Sequence, residues 1–229
     1  MPRGESKVKN NDFKYLIASI VLTCLVSVGL LAGRVMFSDS LRYIFLIWNL
    51  VLAIVPLLLA WWLVERLRTQ SWLKWQQILI TALFISFLPN AFYLITDFVH
   101  LRQTNEVNLY FDVIMLSSFV LNGIVLGFIS IYMVHRELRK RFREQDALIV
   151  IGVVFLLASF ATYLGRFTRF NTWDILLRPA GLLFDVSDRF INPSRHTDTY
   201  VATISLFVVL STTYLVFYSS MLTFRKFKA

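Results

Sequence analysis

The sequence predicts an all-α integral membrane protein with six transmembrane helices and with both termini on the cytoplasmic side. Of its 229 residues, 57% are hydrophobic and only 16% are charged, and the mean hydropathy is +0.65. Soluble domains carry about 25% charged residues, so this composition excludes an ordinary soluble protein. The apolar runs are continuous rather than alternating, which argues against a β-barrel.

Six segments have the length that a membrane helix needs, since about 20 apolar residues cross a hydrocarbon core of roughly 30 Å. In lipid each segment must be helical, because a helix satisfies its own backbone hydrogen bonds. We assign residues 1–229 to a single domain, with helices at about 15–36, 43–64, 76–96, 109–134, 147–165 and 200–224.

The first segment has features of a signal peptide, because four basic residues from Arg3 to Lys14 precede its apolar run. The run from Tyr15 to Ala32 is longer than the usual signal core of about 7–15 residues, and no A-x-A cleavage site follows. We therefore predict a retained helix.

The basic residues give the orientation. If the N-terminus is cytoplasmic, 15 of the 23 Lys and Arg residues lie on the inner side, and the whole net charge of +9 lies there too. This asymmetry follows the positive-inside rule. Anionic lipid headgroups account for a basic inner face, so no nucleic-acid partner is expected.

The long outer loop, residues 166–199, is too polar to span the membrane and too apolar to be a free linker. Asn171 or Thr172 is a candidate helix cap, with Asp174 near the positive end, and Pro179 is expected to end or kink that helix. We predict an interfacial or re-entrant segment between helices five and six.

Two polar strings end the third and fifth apolar runs and fall on the same predicted outer side. If the helix resumes after Pro89, the spacing of Asn90, Tyr93, Asp97 and His100 places them within about 80° of one helix face. Such a stripe should face the protein interior or a wet cavity. On the fifth segment the corresponding residues are Arg166, Arg169, Asn171, Trp173 and Asp174.

These strings resemble the motifs of a bacterial multi-pass membrane family known as domain of unknown function 1361. The matching pattern is Leu-Pro-Asn-Ala-x-Tyr-x-x-Thr-Asp-x-x-His at 88–100, followed by Gly-Arg-Phe-x-Arg-x-Asn-x-Trp-Asp at 165–174. Phe92 stands where a second proline is common in the family. The resemblance covers roughly segments three to six and implies a bacterial cytoplasmic membrane protein, but it implies no activity.

Three interpretations of the polar residues stay open. Asp97 and Arg166 form an interhelical ion pair that fixes packing, since polar residues at this depth usually pair with one another. Asp97 and His100 form a base and its orienting partner for proton transfer. A divalent metal held by Asp97 and His100, joined by His196, Asp198 or Asp174, is a third alternative that the sequence does not favour.

We favour an enzyme that acts on a lipid-linked or envelope substrate at the outer face. In this hypothesis Asp97 and His100 are catalytic, and Asn90, Tyr93, Arg166, Arg169, Asn171, Trp173 and Asp174 bind the substrate. The expected partners are membrane lipid and an anionic lipid-linked ligand, because paired arginines suit phosphate and carboxylate groups. The alternatives are a non-catalytic scaffold or sensor and, with no ionisable residue near the predicted midplane, less readily a transporter.

Overall fold

The computed structural model describes residues 3–103, 107–168, 177 and 179–226 of the chain. Seven α-helices have their bounds within these residues, and six of them hold spans long and apolar enough to cross a membrane. No strand occurs among the described residues, so the predicted all-α fold with six such helices is confirmed. The α-helices are α1 (Arg3–Ser38), α2 (Phe45–Leu67), α3 (Trp75–Tyr93), α4 (Leu109–Leu138), α5 (Glu144–Tyr163), α6 (Pro179–Ile191) and α7 (Thr197–Lys226).

The third and fifth spans change their winding where the polar strings lie. The α-helix α3 runs through Pro89 and ends at Tyr93, and a 3₁₀ segment, Leu94–His100, continues it. Helix α5 is continued by a π-helical turn, Leu164–Thr168. The sequence predicted ordinary helix ending near residues 96 and 165, so both spans are longer and less regular than expected.

Helix α4 lies at the centre of the bundle. Of the 18-residue apolar stretch of α4, 61% is buried inside the protein, against 11% of the corresponding stretch of α1. The helix begins beside Asn108, whose Oδ1 accepts a hydrogen bond from the Tyr110 backbone N–H at 2.9 Å and so caps the first turn. Gly127 lets α3 approach closely, because a Cβ atom there would lie 2.6 Å from Cε1 of Phe92.

Two groups of buried apolar side chains hold the bundle together. The larger one is aromatic, and Phe128 is its hub, with ring centroids 6.1 Å from Phe155 and 5.5 Å from Tyr214 in edge-to-face geometry. The smaller group surrounds Tyr43, Leu46 and Phe119 between α1, α2 and α4. The end of the bundle near this second group also holds the 3₁₀ segment, the π-turn and α6, and we call it the site end.

Helix α6 is too short to cross a bilayer, since 13 residues extend only about 20 Å. Within the described residues it runs from Pro179 to Ile191. Its large apolar side chains Leu183, Phe184 and Ile191 are exposed, whereas Arg189 is buried. The expected cap at Asn171 or Thr172 lies outside the described residues.

Candidate functional site

A buried ion pair joins the third and fifth spans at the site end. The Arg166 guanidinium donates from Nη2 to Oδ1 of Asp97, and the side chains are 10% and 0% exposed. The second carboxylate oxygen, Oδ2, accepts from Nδ2 of Asn49 on α2 at 2.9 Å. The predicted pairing of the two polar strings is therefore confirmed, and it brings three spans together.

Arg166 makes further contacts through its other two guanidinium nitrogens. Its Nε donates to Oγ1 of Thr96 at 2.7 Å, and its Nη1 lies 2.8 Å from Nε2 of His100. The guanidinium carbon also stands 4.2 Å from the ring centroid of Tyr93, in cation–π geometry. A guanidinium only donates hydrogen bonds, so Nε2 of His100 must accept, which leaves the imidazole neutral with its proton on Nδ1.

Arg166 lies between Asp97 and His100. Each of these side chains contacts the guanidinium, and no hydrogen bond joins them to each other among the described contacts. The two side chains are thus two acceptors of one cation, and the predicted acid–base role of Asp97 and His100 stays a prediction. The 3₁₀ winding accounts for this arrangement, because at three residues per turn Asp97 and His100 stack on one side.

A second buried ion pair, Arg34 with Asp112, ties α1 to α4 at the same end. Nε of Arg34 donates to Oδ1 of Asp112 at 3.0 Å, and both side chains are almost fully buried. The guanidinium of Arg34 also covers the ring of Tyr43, at 4.7 Å from its centroid. The Tyr43 hydroxyl in turn donates to the backbone oxygen of His100 at 3.2 Å.

Sequence reasoning missed this second pair and its link to the site. Burial raises the pKa of the Tyr43 phenol, so the hydroxyl keeps the proton that it donates. The sequence feature that could have predicted this pair is the position of the two charged residues, since Arg34 and Asp112 each lie within an apolar run. An ionisable residue there usually pairs inside the protein.

A cavity of about 250 Å³ lies beside the Asp97–Arg166 pair. It is bounded by α2, α3, the end of α5 and α6, and we call it the site cavity. Asn90 and Tyr93, two of the predicted substrate-binding residues, line it. Its other described lining residues are Trp48, Asn49, Leu52, Ser86, Pro89, Ala161, Thr162, Leu164, Gly165, Leu182 and Val186.

Helix α6 is fastened to the bundle on the side of the site cavity by a polar cluster. Arg189 donates from Nε to Oδ2 of Asp185 at 3.0 Å and from Nη1 to Oγ1 of Thr199 on α7 at 2.5 Å. Nε2 of His196 lies 2.7 Å from Oδ2 of Asp188. The hydrogen bond from His196 lowers the pKa of the Asp188 carboxyl.

The predicted metal alternative joined His196 or Asp198 to Asp97 and His100. The structure instead pairs His196 with Asp188. Among the described residues, no group of three His, Cys, Asp or Glu side chains is close enough to hold a metal ion. Four other predicted site residues, Arg169, Asn171, Trp173 and Asp174, lie outside the described part of the chain.

Comparison with known proteins assigns the family. The chain belongs to the family described as "Protein of unknown function (DUF1361)", whose model matches residues 48–214. The match takes in Asn49, both members of the Asp97–Arg166 pair and α6, and it begins after α1. No curated protein and no solved structure matches the chain.

Proposed function

We propose that this member of the DUF1361 family binds a membrane lipid or lipid-linked molecule in the site cavity, at the outer face of the bacterial cytoplasmic membrane. The observation that carries the proposal is the cavity itself, which combines polar and apolar walls. Asn49, Asn90 and Thr162 supply polar atoms, whereas Leu52 and Leu182 supply apolar surface. An amphiphilic molecule matches such a lining, because ligand sites place a few polar groups among apolar ones.

The size and the position of the cavity support a lipid over a free solute. A volume of about 250 Å³ is below the usual range of roughly 300–1,000 Å³ for small-molecule sites, so it suits a headgroup rather than a whole lipid. Trp48 forms part of the wall and is also 57% exposed on the outside of α2. Lipid chains are therefore expected to leave the cavity sideways, past Trp48, into the bilayer.

Two observations support the proposed location of the site cavity at the outer face: the distribution of basic residues and the exposed apolar side chains of α6. Lys and Arg residues are concentrated at the end opposite to the site, and by the positive-inside rule this supports an outer location for the site. Phe184 and Ile191 of α6 are 77% and 76% exposed, and apolar side chains at that density suit a helix lying in the membrane interface. In this arrangement α6 covers the cavity with Leu182 and Val186 while its other face meets lipid.

The Asp97–Arg166 pair holds the cavity walls in this proposal. Both carboxylate oxygens of Asp97 have described partners, and Nε2 of His100 accepts from Arg166. These contacts favour a positioning role for both residues over the predicted acid–base chemistry, which stays a prediction. If the bound lipid is chemically converted, His100→Gln should bind it and leave it unconverted. Unaltered lipid on the wild-type protein, by mass spectrometry, would support binding alone.

Photo-cross-linking tests the lipid site. The protein would be reconstituted in phosphatidylethanolamine–phosphatidylglycerol nanodiscs that contain a diacyl lipid with a photoactivatable headgroup. We expect labelled peptides around Trp48, Asn90 and Thr162, and we expect Leu52→Trp, which fills the cavity, to remove that label. Leu58→Trp is the matched control, because Leu58 lies on the same helix and is 56% exposed. Equal labelling of the two variants, spread over the lipid-facing surface, would overturn the proposal.

A further inference from the structure

The polar part of the site cavity has two properties that together select a ligand class. We propose that it takes an uncharged lipid headgroup that carries hydroxyl groups, rather than a phosphate or a carboxylate. This inference rests on the proposed function, and it departs from the anionic ligand that the paired arginines predicted.

The first property is the absence of charge from the described lining. None of the described residues that bound the cavity is Asp, Glu, Lys, Arg or His. An ionised group that enters such a site loses its hydration and gains no counter-charge, which is strongly unfavourable. A neutral headgroup avoids this penalty, because it has no charge to desolvate.

The nearest described cation does not change this conclusion. Arg166 stands against the ring of Tyr93, a lining residue, but its positive charge is neutralised by Asp97. Each of its three nitrogens is directed at a described acceptor outside the cavity lining, namely Thr96, His100 and Asp97. A phosphate in the cavity would therefore face a guanidinium whose charge is already paired with Asp97 and which is not part of the described lining.

The second property is a pair of acceptor atoms in the lining, Oδ1 of Asn49 and Oγ1 of Thr162. Nδ2 of Asn49 donates to the Asp97 carboxylate, which fixes the orientation of the amide, because an ionised carboxylate only accepts. Oδ1 of Asn49 therefore remains as an acceptor, and no described residue donates to it. The single proton of the Thr162 hydroxyl is directed at backbone oxygens, that of Ala158 on its own helix at 2.8 Å and, at 3.4 Å, that of Pro89 on α3. This hydroxyl too offers only lone pairs.

A ligand that complements these atoms must bring its own donors. Hydroxyl groups donate, whereas a phosphate diester and a carboxylate only accept. The chemistry therefore points to a free alcohol headgroup, and two lipid sources carry one: a diacylglycerol and a long-chain prenyl alcohol. Both also supply apolar chains for the path past Trp48.

Competition in nanodiscs tests the ligand class. A photoactivatable diacylglycerol is the probe, and unlabelled diacylglycerol, polyprenol and phosphatidic acid are the competitors. We expect an alcohol lipid to displace the cavity label at concentrations at least about tenfold below those of phosphatidic acid, which corresponds to a tenfold ratio of dissociation constants. The better of the two alcohols identifies the source.

Removing one of the two acceptors from the cavity lining tests the ligand class independently. Thr162→Val keeps the shape of the side chain and removes the hydroxyl, so the dissociation constant for the alcohol lipid should rise roughly threefold to tenfold, the effect of one hydrogen bond. Thr212→Val is the matched control, because that hydroxyl also bonds within its own helix, to Val208, but lies on the exposed side of α7.

The outcomes separate this inference from the proposed function. Phosphatidic acid that competes as well as the alcohols, with a label that Leu52→Trp still removes, would overturn the ligand class and leave lipid binding intact. An unchanged dissociation constant for Thr162→Val would also overturn the ligand class. If neither the photoactivatable diacylglycerol nor the diacyl lipid with a photoactivatable headgroup labelled the cavity, both the ligand class and the proposed function would be overturned.

Discussion

The ion pair between Asp97 and Arg166 offers the sharpest test of how the site end is held together. Asp97→Asn keeps the size of the side chain and its capacity to accept from Asn49, but it removes the charge that faces Arg166. Asp97 is 0% exposed and Arg166 is 10% exposed, so water compensates little for the lost partner. The guanidinium would then be a buried cation whose described neighbours, Thr96 and His100, carry no negative charge.

The expected magnitude follows from this burial. Removing one partner of a buried ion pair typically costs about 3–5 kcal/mol, because the other charge is left uncompensated. We expect Asp97→Asn and Arg166→Gln each to lower the free energy of unfolding by an amount in that range. The double variant removes both charges and should lose no more than either single variant does, so the two losses are strongly non-additive.

Reversible unfolding in mixed detergent micelles, followed by circular dichroism, measures these free energies. Glu65→Gln serves as the control, since it breaks the Glu65–Arg68 pair, in which the side chains are 51% and 66% exposed. An exposed pair contributes only about 0–1 kcal/mol. If Asp97→Asn cost no more than this control, or if the single losses simply added, the argument that the pair is desolvated and structural would be refuted.

Three further predictions concern packing, orientation and pH. Gly123→Ala should lower the free energy of unfolding by about 1–3 kcal/mol through overpacking, because its Cβ would collide with the backbone of α3, whereas Gly152→Ala, with nothing within 4 Å of its Cβ, should not. In intact cells a cysteine at Ser187 should react with a membrane-impermeant thiol reagent and one at Gln145 should not; the reverse pattern would put the site inside. The pKa of Asp188 is lowered in the fold, so its contribution to stability is present above the unfolded value of 3.8 and is lost as the pH falls through the lower folded value. Acid should therefore raise the protease sensitivity of α6 in the wild type, and Asp188→Asn should show that sensitivity already at neutral pH.

The membrane helices could be predicted because their signal is local. A run of some 20 apolar residues has few folded alternatives in lipid, so length and hydropathy suffice. The Asp97–Arg166 pair was also predictable, since two opposite charges at one depth have a strong reason to meet. Arg34 and Asp112 are separated by 78 positions in sequence, and their pairing depends on α1 packing against α4. No sequence pattern fixes that choice of neighbour.

The roles of Asp97 and His100 were harder to predict because they depend on local winding. A regular α-helix would have spread the stripe from Asn90 to His100 across one face, open to a ligand. The 3₁₀ segment stacks Asp97 and His100 instead, and the π-turn carries Arg166 between them. Neither departure from α-helical geometry has a reliable signature in a single sequence, although Pro89 lies a few residues before the 3₁₀ segment.

The ion pair also connects the stability of the site end to the chemistry of the cavity. The Asp97 carboxylate orients Asn49 by accepting from its amide nitrogen, and this leaves the amide oxygen as the acceptor available to a ligand. In Asp97→Asn the partner is itself an amide, which both donates and accepts, so the orientation of Asn49 is no longer dictated. The same substitution that destabilises the bundle should therefore relax the preference for a hydroxyl donor. The double variant, Asp97→Asn with Arg166→Gln, should not recover that preference either, because the carboxylate is still missing.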